Sequence, residues 1–325
     1  MRRWLLVACL VVTGCVVPPP QRPNTQGDPD GEQEPDSDPP PLQAVAADTS
    51  PGKVVQTSSD FAFGGGRIEF EMRQKGNHVT QVAKNHYMVP IVIAWEVSGL
   101  QNLEPTGAPR GIAILPAANQ PNGDGSPVEL VGFDIVDPTV RYYRDLNFHA
   151  RFGDPTSRPT NYVYALPYHK QTFSVLQGFH GAFSHRGSNE FAVDYDCPVA
   201  TPVLAARPGV VVVTNDAAQG SGTTPEFLDY KRTNFVLVLH DDGTLGEYMH
   251  LSPSGVEVSP GQKVERGTRL ALSGNTGFSS TPHLHFQVMT AGEDGVSAQS
   301  FPFKLAVAAA RDEEPVQGHA YSSWE

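Results

Sequence analysis

Ser279-Ser280-Thr281-Pro282-His283-Leu284-His285-Phe286-Gln287-Val288 is the stretch whose reading decides the fold class. In a β-strand, side chains two residues apart share a face. His283 and His285 then stand side by side, while Leu284 and Phe286 turn to a core. A helix would splay the two rings and would call for a spacing of four. Pro282 before the pair, and Phe286 and Val288 after it, favour the strand. Imidazole is the commonest metal ligand and the commonest acid or base near neutral pH. Two on one face can divide those tasks, although the triplet alone more often describes two half-exposed polar residues on a strand.

Outward from this stretch the chain stays rich in β signals. Val210–Thr214 and Phe235–His240 are apolar and β-branched. Asp241-Asp242-Gly243-Thr244 joins the second run to Leu245–His250 as a hairpin, because Asp-Gly supplies the positive φ of a tight turn. Val258–Gly261 and Gly267–Leu272 read as further short strands, and the pattern ends near Phe301–Leu305. Upstream, the segment from Phe179 to Asp196 holds His185 in a Gly/Ser loop and Asp194 between Val193 and Tyr195. Burying that carboxylate on an apolar strand is costly unless something positive holds it, and a bound dication is the simplest candidate. Asp196, on the same strand face, and Glu190 are competing carboxylates. His180 and His169 lie near by and read as solvated, and His240 at the start of the hairpin reads as structural.

Residues 51–160 alternate with period two at Arg67–Met72 and in part at Ile91–Val97. Short runs follow at Gly111–Leu115, Val128–Ile135 and Val140–Phe152 between Gly, Pro, Asn and Asp turns, the pattern of a β-sandwich. His78, His86 and His149 are isolated here, and no catalytic constellation is visible.

The N-terminus has another character. Met1-Arg2-Arg3 and the apolar run Trp4–Val12 form a secretory signal too short to span a bilayer. Val12-Thr13-Gly14-Cys15 resembles a bacterial lipobox, which implies cleavage before Cys15 and lipidation of its thiol. Residues 16–50 are a Pro-rich acidic linker; Val16–Thr49 carries seven Asp or Glu against one Arg. Such a stretch stays solvated and extended, with a reach on the order of 100 Å. The linker accounts for half of the chain's net charge of −12, and the mildly acidic remainder has no Lys/Arg stripe, which argues against nucleic acid. Of three cysteines, Cys9 leaves with the signal, Cys15 takes the lipid and Cys197 remains as a packing residue. That rules out a disulfide framework and a four-sulfur zinc knot.

Four ordered motifs carry a family resemblance. They are His185…Phe191-Ala192-Val193-Asp194-Tyr195, Ala200-Thr201-Pro202-Val203…Pro208-Gly209-Val210-Val211, His240-Asp241-Asp242-Gly243-Thr244…Tyr248-Met249-His250-Leu251, and Gly274-Asn275-Thr276-Gly277…Pro282-His283-Leu284-His285-Phe286. Together they resemble the lysostaphin/LytM-type zinc metallopeptidases over roughly residues 164–305. The resemblance implies an antiparallel β core with a groove above one sheet, and cleavage of peptide bonds in peptidoglycan. It implies one zinc ion per chain on His185, Asp194 and His285, and catalytic His250 and His283, with their roles as base and acid undivided. Two imidazoles and a carboxylate leave zinc an open position from which to acidify water towards a pKa of about 7. Two departures stand out. His185 and Asp194 are nine apart where four is common, and Thr281 and Ala200 replace usual glycines.

The expected architecture is therefore all-β. A signal peptide (1–15) and linker (16–50) precede a β-sandwich (51–160), an antiparallel LytM-type peptidase domain (161–310) and a C-terminal tail (311–325). The expected protein is a lipid-anchored zinc endopeptidase of the cell envelope acting on peptidoglycan. The alternative is an inactive relative that binds peptidoglycan or activates another hydrolase.

Overall fold

A computed structural model describes residues 52–308 and 311–323. The expected signal peptide with Cys15 and the expected acidic linker lie outside the described residues. Among the described residues there are β-strands and three short 3-10 turns but no α-helix.

Residues 52–152 form a five-stranded sheet and a three-stranded sheet. In the first, Lys53–Phe63, Gly66–Lys75, His78–Asn85, Val128–Ile135 and Leu103–Pro105 are neighbours in that order. In the second, Ile91–Gln101 lies between Arg110–Leu115 and Tyr143–Phe152. Ile68, Phe70, Met72, Val79 and Phe133 from the first share one core with Ile91, Ile93, Trp95, Phe148 and Phe152 from the second. The same cluster continues into the C-terminal half through Val212, Phe235, Leu237, Leu245 and Met289. Left in water, each such side chain would cost about 1.5–3 kcal/mol, so the halves stabilise one another.

The C-terminal half is built on a nine-stranded sheet. Its central members run Gly209–Asn215, Phe235–Leu239, Leu245–Met249, Leu284–Ala291, Val193–Tyr195 and Thr172–Gln177. Alternation along these strands divides the two faces. Val236, Val238, Tyr248, Val193, Tyr195, Leu284, Phe286 and Val288 fill a second core on one side. Facing the other way, Phe235, Leu237, Leu245 and Met289 pack on the N-terminal half, while His285 and Gln287 continue the same face. The N-terminal half thus closes one end of the face that carries the histidines.

The hairpin Phe235–Leu239/Leu245–Met249 turns through Gly243 at φ +80°. Asp242 accepts from the Thr244 amide and hydroxyl, and Arg207 pairs with Asp242 at 2.7 Å and with Asp241. His240 is buried in this corner with Nδ1 3.0 Å from the Pro208 carbonyl. Burial, helped by the Arg207 charge, pushes its pKa down to about 4. A histidine that binds its proton more weakly when folded contributes full stability above its unfolded pKa, near 6.5, and loses it as pH falls towards 4. We expect about 3 kcal/mol of unfolding free energy to disappear over that window. His240→Asn keeps a donor for Pro208, and should flatten the difference in stability between pH 7 and pH 4 measured by urea titration.

One sequence expectation is corrected here. Val258–Gly261 is not a strand: Pro260 and Gly261 form a turn, with Gly261 at φ +88°, and the paired segment is Leu251–Val256. The tail, to which the sequence assigned no element, contributes an edge strand. Ala320–Ser322 pairs with Thr172–Gln177 at the sheet edge, and the Tyr168 hydroxyl donates to the Tyr321 carbonyl. The edge strand, short and mixed in composition, is held by its partner rather than by its own pattern.

Candidate metal centre

Strand register assembles the site. Leu284–Ala291 lies between Val193–Tyr195 and Leu245–Met249, which sets Asp194 opposite His285 and His285 opposite Met249. His250 follows at φ +62°, a left-handed conformation uncommon outside glycine, and so turns out of the strand beside the site. Its ring centroid is 4.5 Å from that of His283 and 5.8 Å from that of His285. His185 arrives from the loop between Thr172–Gln177 and Val193–Tyr195, where Gly187–Asn189 makes a 3-10 turn. All five residues are less than a tenth exposed.

The carboxylate of Asp194 is the hub. Oδ2 lies 3.1 Å from His185 Nε2, and Oδ1 lies 3.0 Å from His285 Nδ1 and 3.6 Å from His283 Nε2. One ligating atom each from His185, Asp194 and His285 falls within 4.8 Å of the others.

Backbone carbonyls set the tautomers of three rings. Nδ1 of His185 meets Gly178 O at 2.9 Å, Nδ1 of His250 meets Thr276 O at 2.7 Å, and Nδ1 of His283 meets Thr281 O at 2.8 Å. A carbonyl only accepts, so each Nδ1 carries the proton and each Nε2 turns a lone pair inward. That makes the short approach of His185 Nε2 to Asp194 a meeting of two acceptors in the neutral ring, and the nitrogen is indeed buried with no hydrogen-bond partner. A cation between them relieves the conflict. Two imidazoles and a carboxylate, with backbone carbonyls fixing the neighbouring rings, are a donor set that suits zinc.

Electrostatics agree with this arrangement. Burial alone would raise the Asp194 carboxyl, but His185 and His285 outweigh it and hold the group well below the usual range. His285 is opposed by burial too, yet Asp194 raises it. His250 goes the other way: burial, with His283 and His285 beside it, holds it well below the ordinary histidine value and therefore neutral.

The remaining candidates sit elsewhere. Asp196 is exposed just past the end of the strand, and Glu190 pairs with exposed His180 at 3.1 Å. His169 is exposed, His86 bonds the Gly123 carbonyl, and His78 pairs with Asp134. Cys197 is buried, which pushes its thiol up and away from reactivity. Sequence reasoning missed the buried polar groups Glu247, Gln287 and Gln177. Glu247 accepts from Gln287 at 2.5 Å and from the Tyr230 hydroxyl at 2.7 Å, and Arg151 of the N-terminal half lies over the Tyr230 ring. Gln287 was within reach of inference, since His283-x-His285-x-Gln287 shares one face. Gln177, which donates to Asp194, carried no such signal.

Residues 188–296 match the model described as peptidase family M23. The match begins past His185, so that histidine stands on geometry. Peptidoglycan DD-endopeptidase ShyA of Vibrio cholerae is 36% identical over 99 residues, covering 30% of this chain and 20% of that protein. Glycyl-glycine endopeptidase ALE-1 of Staphylococcus capitis is 36% identical over 119 residues, covering 36% of this chain and 29% of that protein. The chain therefore spans less than a third of the length of either relative. The solved catalytic domain of lysostaphin from Staphylococcus simulans aligns at 27% identity and a TM-score of 0.28, covering 40% of this chain and 88% of that one. Residues 188–296, with Asp194 and His285 paired across an antiparallel sheet, thus form a domain of peptidase family M23.

Proposed function

We propose that the protein is a zinc-dependent metalloendopeptidase that hydrolyses peptide bonds in bacterial peptidoglycan. The observation that carries this reading is the convergence of His185, Asp194 and His285 on one buried point with two further imidazoles beside it. The names of the matched relatives supply the substrate class.

His185, Asp194 and His285 would hold the ion. When bound, zinc supplies Lewis acidity, polarising a carbonyl and acidifying water. The chain supplies the rest. Asp194 stays ionised and keeps the ligand set charge-balanced. His250, fixed by Thr276 and kept neutral, offers Nε2 as a proton acceptor. His283, fixed by Thr281, presents its Nε2 beside it, the two ring centroids lying 4.5 Å apart. The two divide proton removal and delivery to the departing amine, a task of the kind worth about 10²–10⁴-fold. Phe183, two residues before His185, is largely exposed and stacks on Phe278, offering a peptide an aromatic surface near these atoms.

We also propose an extracytoplasmic location with Cys15 lipidated, the acidic linker holding the sheets away from the membrane. The test is digestion of purified sacculi by full-length protein, stripped with chelator and then reloaded with zinc. Peptide release that vanishes on stripping and returns on reloading is the expected result. Stripped and reloaded protein that both bind sacculi without releasing peptides would instead identify a binding or hydrolase-activating relative.

A further inference from the structure

Gln177 ends the strand Thr172–Gln177, directly opposite Asp194 in the sheet register, and only 8% of it is exposed. Every hydrogen-bonding position of its amide is used. Nε2 donates to Asp194 Oδ2 at 3.0 Å and to Ser184 Oγ at 2.9 Å. Oε1 accepts from the backbone N–H of Phe183 and of Ser184, both at 3.0 Å. A single side chain therefore fastens the segment leading into His185 and the carboxylate of Asp194 to the same point. Gly181 is part of this fit, because a Cβ there would stand 2.8 Å from Gln177 Oε1.

The link answers a problem set by the sequence. His185 and Asp194 are nine residues apart, joined by a loop with one 3-10 turn. A ligand on such a loop is set by whatever ties the loop to the scaffold, since a site held loosely loses affinity and rate. The His185 backbone contributes a bond of its own, from its N–H to Gly181 O at 3.2 Å, but that bond stays within the loop. Among the described residues, the amide of Gln177 is the side chain that donates to Asp194 while accepting from the loop. It also aims the carboxylate: with Oδ2 engaged by Gln177, Oδ1 is the oxygen turned to His285 and His283.

We infer that Gln177 is a positioning residue for the metal site, holding His185 and Asp194 at their mutual distance before any ion arrives. The inference rests on the metallopeptidase reading above and deepens it. Its chemistry is that of an uncharged donor: the amide orients Asp194 without adding charge to the site.

Full-length protein, apo and then titrated with zinc against a chelator of known affinity, tests it. Gln177→Met keeps the volume and removes all four bonds; zinc affinity should fall about 10–100-fold, the usual range for an outer-shell partner. Ser184→Ala removes one acceptor from the same amide without threatening the fold, and should lose a smaller factor in the same direction. Cobalt(II) in place of zinc gives a readout that mere destabilisation does not move, because its visible ligand-field bands should shift in both variants. Zinc affinity within twofold of wild type in both, with unchanged cobalt bands, overturns the inference. Should Gln177→Met fail to fold, the Ser184→Ala affinity and bands decide alone. Wild type that binds neither metal removes the metallopeptidase reading itself, an outcome distinct from equal binding by wild type and variants.

Discussion

Asp194→Ala and His285→Ala are each expected to lose zinc and hydrolysis together, with peptide release from sacculi falling about 10³-fold or more. The magnitude follows from what a Lewis acid contributes, several kcal/mol of transition-state stabilisation, at about 1.4 kcal/mol per factor of ten. Asp194 should be the more damaging of the two. It contacts His185, His285, His283 and Gln177, so its removal leaves three inward-facing nitrogens without the anion that gathers them. The fold should survive. Val193, Tyr195, Leu284 and Phe286, which anchor the two strands, pack on the opposite face, and neither substitution touches them. Circular dichroism and metal analysis check this. A folded Asp194→Ala protein that keeps stoichiometric zinc and releases peptides at the wild-type rate would end the proposed ligand assignment.

Much of the fold was legible because strand alternation is a short-range property. Leu284 and Phe286 go to one core and His285 to the other face, as a period of two requires. The Asp-Gly hairpin was legible for the same reason, since the turn carries its own backbone requirement at Gly243. Long-range pairing was not. Lys53–Phe63 is mostly exposed, and Ala320–Ser322 is three residues long; each is a strand because a neighbour offers it a ladder. Nor does the sequence mark the continuous core by which Phe61 and Phe152 meet Phe235 and Met289 across the two halves.

At the site, the residues with chemical character were easy to single out, whereas those that orient them were not. A histidine pair two apart and an aspartate on an apolar strand announce themselves by cost. Gln177 and the carbonyls of Gly178, Thr276 and Thr281 orient the rings and the carboxylate, yet glutamine beside glycine and three backbone oxygens look like any loop. Glu247 illustrates the point from the other side. It is a buried acid between Gly246 and Tyr248 on a central strand, satisfied by Gln287 and Tyr230, and the partner that explains it lies 40 residues away in sequence.

His250→Ala and His283→Ala should separate binding from turnover. Each is expected to reduce hydrolysis about 10²–10⁴-fold, the range for loss of a positioned acid or base. Zinc should remain in both, because neither residue belongs to the three whose ligating atoms converge. The two should still differ. His283 shares the ligand strand's approach and brings Nε2 to 3.6 Å from Asp194 Oδ1, so its removal disturbs the carboxylate and should weaken zinc a few-fold. His250 is held by the Thr276 carbonyl and meets the cluster by ring contact, so zinc affinity in His250→Ala should match wild type. The diagnostic pattern is a fall in kcat with little change in KM, as for groups acting only in the transition state. If either variant turns over sacculi at the wild-type rate, that imidazole takes no part in the chemistry; if His250→Ala loses zinc outright, the division between metal-holding and proton-handling histidines drawn from this geometry is wrong.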